Sequence, residues 1–95
     1  MTLTISSVRC SLQVALLGAI TPNLRTINVN IIKDSLKLYF YYQIPPSEEE
    51  EDLSEIVVTK LYSNFINISI KIHRIVLAPT NKVPEIGIRI FHRKE

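Results

Sequence analysis

Few residues of this 95-residue chain have side chains suited to catalysis. His73, His92 and Cys10 are the conventional proton carriers and nucleophile. Two histidines could act as acid and base in a metal-independent nuclease if a carboxylate oriented one ring. No carboxylate stands at a useful spacing from either. Cys10 falls in an apolar stretch, where a lone thiol usually packs rather than reacts. As the single cysteine, it excludes an intramolecular disulfide and a thiolate metal cluster, which fits a reducing compartment. There is no HExxH motif, nucleophile elbow or glycine-rich phosphate loop, and there are only two glycines. The expectation is therefore a protein that is not an enzyme and that carries no cofactor or metal. Asn67-Ile68-Ser69 matches a glycosylation sequon, which has no consequence in the cytoplasm.

Charge is the more informative chemistry. The formal net charge of +2 hides a strong segregation. Six of the nine acids are Glu48, Glu49, Glu50, Glu51, Asp52 and Glu55, and of the eleven bases only Lys60 lies between Ser47 and Phe65. One strongly acidic patch is thus set on an otherwise basic chain, a pattern that suggests two faces of opposite sign. The run Glu48 to Asp52 has two explanations. It can be a solvated helix start, or it can be a recognition patch that occupies a basic, phosphate-binding cleft on a partner and speeds association. Five successive carboxylates exceed what capping a helix needs.

Hydrophobic periodicity places these residues on elements. Val8, Leu12, Ala15 and Leu16 form one helical stripe within Ser6 to Leu17, and Cys10, Val14 and Leu17 form a second, so this helix is expected to be apolar over a wide arc. Thr2 to Ile5 alternates like a short strand. Gly18 is a natural helix stop and Thr21-Pro22-Asn23 a turn. Leu24 to Lys33 alternates with period two, Lys33-Asp34-Ser35 turns, and Leu36 to Ile44 alternates again, which reads as a hairpin. Pro45-Pro46 ends it. Ser47 with Glu50 three residues on predicts a capping box, and Leu53, Ile56, Val57, Leu61 and Phe65 the buried face of the helix that follows. Ile66, Ile68, Ile70 and Ile72 begin a strand running to about Leu77. Ala78 to Lys82 is a loop, and Ile86, Ile88 and Ile90 mark a last strand.

The order αββαββ predicts an α+β fold, a four-stranded sheet with both helices packed on one face. It reads as two helix-plus-hairpin units. One arrangement is a circular permutation of the ferredoxin-like βαββαβ order, with the second and fourth strands central; a sequential strand order is the alternative. The open sheet face is expected to carry Thr26, Asn28, Asn30, Lys37, Tyr39, Tyr41, Gln43, Lys71, His73, Arg89 and Arg93. Aromatics interleaved with bases on such a face suit a nucleic-acid-binding module, although the glycine and aromatic spacing of RNA-recognition domains is absent.

The length suits one domain spanning residues 1–95, and a hydrophobic content of 46% is enough for a core. No apolar run reaches the ~18 residues of a membrane span. The apolar run Val14 to Ile20 lacks the leading bases of a secretory signal, so a cytoplasmic location is expected.

Five segments, Ser11-Leu12-Gln13-Val14-Ala15-Leu16-Leu17-Gly18, Thr21-Pro22-Asn23-Leu24-Arg25, Tyr39-Phe40-Tyr41-Tyr42, Pro46-Ser47-Glu48-Glu49-Glu50 and Arg93-Lys94-Glu95, carry a resemblance over nearly the whole chain. In that order they resemble small bacterial immunity proteins of contact-dependent growth inhibition and related polymorphic toxin systems. The resemblance implies a cytoplasmic protein that binds and neutralises a cognate toxin domain, often a nuclease. It supplies no binding residues. The candidates from the residues themselves are Glu48, Glu49, Glu50, Glu51 and Asp52, with Arg25 at the end of a polar turn, and Lys37, Tyr39 and Tyr41 on the sheet. A third reading is a homodimer in which edge strands pair across a two-fold axis.

Overall fold

A computed structural model of the chain describes residues 4–16, 18–65, 67–78, 81–84 and 87–92. The elements run α1 (Ile5–Ala15), β1 (Leu24–Ile32), β2 (Ser35–Tyr42), α2 (Glu48–Asn64), β3 (Ser69–Val76) and β4 (Ile88–His92). The αββαββ order and the α+β class expected from the sequence are those of the protein, and both helices pack on one face of the sheet. Thr2 and Leu3 of the expected short strand lie outside the described residues. Thr4 is instead an N-cap, its hydroxyl accepting from the Ser7 amide at 3.1 Å, and Ile5 is already helical.

The strands lie in the order β3-β2-β1-β4. This is neither the sequential order nor the permuted ferredoxin-like one, because β1 and β2 are central. The first hairpin forms as expected, with Ile27 opposite Phe40 and Val29 opposite Leu38. The second does not form. The physical reason is α2, whose 17 residues carry the chain back along the sheet so that β3 enters parallel to β2, pairing from Ser35 with Ser69 to Tyr42 with Val76. That leaves the other edge of β1 open for β4, which pairs antiparallel to it. β4 consequently runs in the same direction as β3 at the opposite edge. Of the residues between them, the described ones, 77–78 and 81–84, lie against the face that the helices leave open.

The core lies between the helices and the near face of the sheet. Ile27 and Val29 from β1, Leu36, Leu38, Phe40 and Tyr42 from β2, Val8, Leu12, Ala15 and Leu16 from the first turn-and-helix segment, and Val57, Leu61 and Phe65 from the second are all buried. The first helical stripe read from the sequence is thus the buried one. Of the second, Cys10 is exposed and Val14 is 63% exposed, so that α1 is apolar beyond the arc it buries, while Leu17 lies outside the described residues. Ile56 is also exposed rather than buried, since α2 turns Ser54, Val57 and Leu61 inward. Gly18, with φ of 83°, takes the left-handed conformation expected after a helix.

Candidate functional site

The acidic run sits on the first turn of α2. Ser47 caps it: its hydroxyl accepts from the Glu50 amide at 3.1 Å, and Glu50 Oε1 accepts from the Ser47 amide at 3.1 Å, the reciprocal pair anticipated from their spacing. Glu50 does more than cap. Its Oε2 accepts from the Thr21 hydroxyl at 2.5 Å and its Oε1 from Asn23 Nδ2 at 3.2 Å, tying the helix start to the turn that opens β1. Burial opposes its ionisation, but the hydrogen bonds from Thr21, Ser47 and Asn23 together outweigh that and hold its pKa below the usual glutamate value. Glu50 is therefore committed to the fold. Glu55 is likewise engaged, 2.6 Å from Arg74 Nη2.

The remaining four behave differently. Glu48, Glu49, Glu51 and Asp52 are exposed, and among the described residues no hydrogen bond or ion pair reaches their carboxylates. They form a dense anionic surface at the positive end of the helix dipole, which lowers the cost of holding them together.

The opposite face of the sheet is only partly open. Arg25, at a bulge in β1, is 2% exposed, and its Nη1 donates to the carbonyl oxygens of Leu77 at 3.1 Å, Ala78 at 2.9 Å and Asn81 at 3.1 Å. Asn28 Nδ2 donates to the Pro84 carbonyl at 3.2 Å, and Val83 is buried. The described residues between β3 and β4 thus form a strap across this face, held by two polar side chains of β1. At its far end Gly87 has φ of 66°, and a Cβ there would lie 2.2 Å from the Val29 carbonyl oxygen, so only glycine fits. Thr26, Asn28 and Tyr41, expected on an open surface, are buried. Arg25 and Tyr41 must accordingly be withdrawn as partner contacts, because neither side chain reaches the surface. Burial, followed by the neighbouring Tyr39, also pushes the Tyr41 pKa up.

Beyond the strap a smaller patch stays open. Lys37 and Tyr39 are partly exposed, and across the parallel register they face Lys71 and His73, both exposed. The Tyr39 and His73 rings stack with centroids 5.0 Å apart and planes 13° from parallel. Arg89, from β4, is also exposed. The His92 side chain and Arg93 lie outside the described part of the structure. His73 therefore stands as a stacking partner, with no carboxylate hydrogen-bonded to it among the described residues. No cluster of three or more His, Cys, Asp or Glu able to hold a metal is present among the described residues.

Sequence reasoning missed Arg74. It lies on the helix side of the sheet, its Nε donating to Ser54 Oγ at 2.9 Å and its Nη2 to Glu55. Its phase gave the signal, since it falls in step with Ile70 and Ile72, and a cation on an apolar face requires a carboxylate from the packed helix. Ser54 in turn donates to the Glu51 carbonyl at 2.6 Å. Tyr42 lies beside this group. Burial first, then Glu50 and to a smaller extent Glu51, pushes its pKa up to about 12, against the opposing effects of Arg74 and the hydrogen bond with Ser54.

The structure is thus an α+β scaffold on which charge is segregated, with the acidic residues gathered at the start of α2. The chain belongs to the MafI2 immunity protein family, whose model matches residues 5–95. It is thus a member of a family of small bacterial immunity proteins, as its sequence segments suggest. No curated protein matches the chain. Among the described residues no helix is long and apolar enough to cross a membrane.

Proposed function

We propose that this chain neutralises a cognate toxin domain by binding it directly in the cytoplasm, without catalysing a reaction. The observation that carries the reading is membership of the MafI2 immunity family over residues 5–95. The mode of binding is supported by the four exposed carboxylates of Glu48, Glu49, Glu51 and Asp52, a surface complementary to a basic cleft such as a nuclease uses to hold phosphate. Glu50 supports the surface from beneath by fixing the helix start, and Lys37 and Tyr39 lie on the opposite side of the sheet as a second contact area. The test is co-expression with the toxin domain encoded beside the gene. Rescue of growth and co-elution of the purified pair are expected; a toxic domain that is neither neutralised nor bound overturns the reading.

A second reading, a nucleic-acid-binding module, is favoured by the Tyr39–His73 stack beside Lys37 and Lys71. It is the weaker one, because the strap covers Thr26, Asn28 and Tyr41 and leaves a short platform. Retention of an RNA oligonucleotide that falls steeply with added salt would support it, and no retention at low salt removes it.

A further inference from the structure

The two edges of the sheet differ. β4 is five residues long and its register with β1 is broken by an irregularity between Ile27 and Asn28. Short and bulged edges resist the addition of another strand. β3 is eight residues long and keeps an unbroken register with β2 from end to end. Among the described residues no strand pairs with its outer side.

The direction of the β3 amides follows from its hydrogen bonds. Ser69 N donates to Asp34 O at 2.9 Å and Leu77 N to Tyr42 O at 2.8 Å, so the odd-numbered amides face β2. The even-numbered ones face outward. Ile70 N confirms the alternation by donating to the Tyr62 hydroxyl of α2 at 3.1 Å. The molecule thereby satisfies the first outward amide itself and leaves those of Ile72, Arg74 and Val76, with the carbonyls beside them, as an open ladder.

Charge decides what fits this ladder. Lys71 and His73 are exposed on the far side of β3, and Lys71 stands directly beside Lys37 with no carboxylate paired to either among the described residues. Like charges opposed across two strands cost stability, and opposite charges favour pairing. A second copy of β3 laid antiparallel on the first would bring another Lys71 and His73 into the same patch. An anionic strand would relieve it.

We propose that the outer edge of β3 takes an extended segment of the toxin as a fifth strand, one that carries carboxylates at alternate positions facing Lys71 and Lys37. The proposal rests on the immunity reading and adds to it a defined mode of contact: main-chain hydrogen bonds supply affinity, and the alternate side chains supply selectivity.

Hydrogen exchange on the intact protein, free and bound to an inactive form of the toxin domain encoded beside the gene, tests it. In the complex the amides of Ile72, Arg74 and Val76 are expected to slow by at least about tenfold. Val76→Pro removes one outward donor at the end of the strand without breaking a bond to β2, and Lys71→Glu reverses the facing charge. Each is expected to weaken the complex roughly tenfold while the variant keeps its circular dichroism spectrum. A complex that forms with unchanged exchange at these three amides overturns the edge contact and leaves the immunity reading standing. No complex overturns both. Protection already present in the free protein and rising with its concentration, or produced by an RNA oligonucleotide, assigns the edge to another occupant and overturns the proposal.

Discussion

Two charged regions of this molecule use their charge in opposite ways. Arg25 is buried beneath the strap and directs its guanidinium at three carbonyl oxygens, so its charge holds the chain in place. The exposed carboxylates of Glu48, Glu49, Glu51 and Asp52 hold nothing in place among the described residues. The difference separates charge that builds the fold from charge left exposed at the surface, and it does so within 95 residues. Glu50 stands between the two: it belongs to the acidic run in sequence and to the structural group in its bonding.

Substitutions can break this contrast, and the largest effect is expected at the end of the strap. Gly87→Ala drives a Cβ into the Val29 carbonyl from a backbone conformation that only glycine holds without strain, and should cost about 4 kcal/mol or more in a denaturant titration. Arg25→Met keeps the apolar stem and leaves the carbonyls of Leu77, Ala78 and Asn81 without their donor. A loss of about 3 kcal/mol is expected. Amide exchange at Asn81, Lys82 and Val83 should rise with it, and an unchanged exchange pattern would mean that Arg25 does not hold the strap.

A smaller effect is expected at Glu50. Glu50→Gln should cost about 1 kcal/mol near neutral pH, because the amide nitrogen that replaces one carboxylate oxygen cannot accept either the Thr21 hydrogen bond or those from Asn23 and Ser47. The pH dependence carries a sign. The folded pKa of Glu50 lies below its ordinary value, so its contribution is fully present above the ordinary glutamate range and is lost as pH falls through the folded pKa. The variant should therefore converge on the parent in acid. At the alkaline end Tyr42 acts in the reverse sense. Its pKa is raised from 10.0 to about 12, so the stability it confers is present below pH 10 and is lost as pH rises toward 12. Tyr42→Phe should flatten that alkaline decline.

The parts of the molecule governed by neighbouring residues were legible in the sequence. The capping box of Ser47 and Glu50, the Leu24 to Ile44 hairpin and the buried stripe Val8, Leu12, Ala15 and Leu16 each follow from spacings of a few residues. The strand order did not, because nothing local in Ala78 to Lys82 distinguishes a hairpin loop from a strap. What decides it is the partner side chain: Arg25 lies 52 to 56 residues away from the carbonyls it binds. The same distance in sequence explains why Arg25 and Tyr41 looked like surface residues. A base after a polar turn and a tyrosine on an alternating strand read as exposed until a second layer is known to cover them. On the acidic run the sequence could show the excess of carboxylates over what capping needs, but not that Glu50 alone would be drawn into the fold.

The most direct test of the central claim is calorimetric titration of the inactive toxin domain into the protein and into a variant with Glu48, Glu49 and Glu51 changed to Gln and Asp52 to Asn. The account predicts a one-to-one complex for the parent whose association weakens with added salt, and binding at least about a hundredfold weaker for the variant, with the thermal midpoint unmoved. Equal affinity of the two proteins for the toxin domain would contradict it.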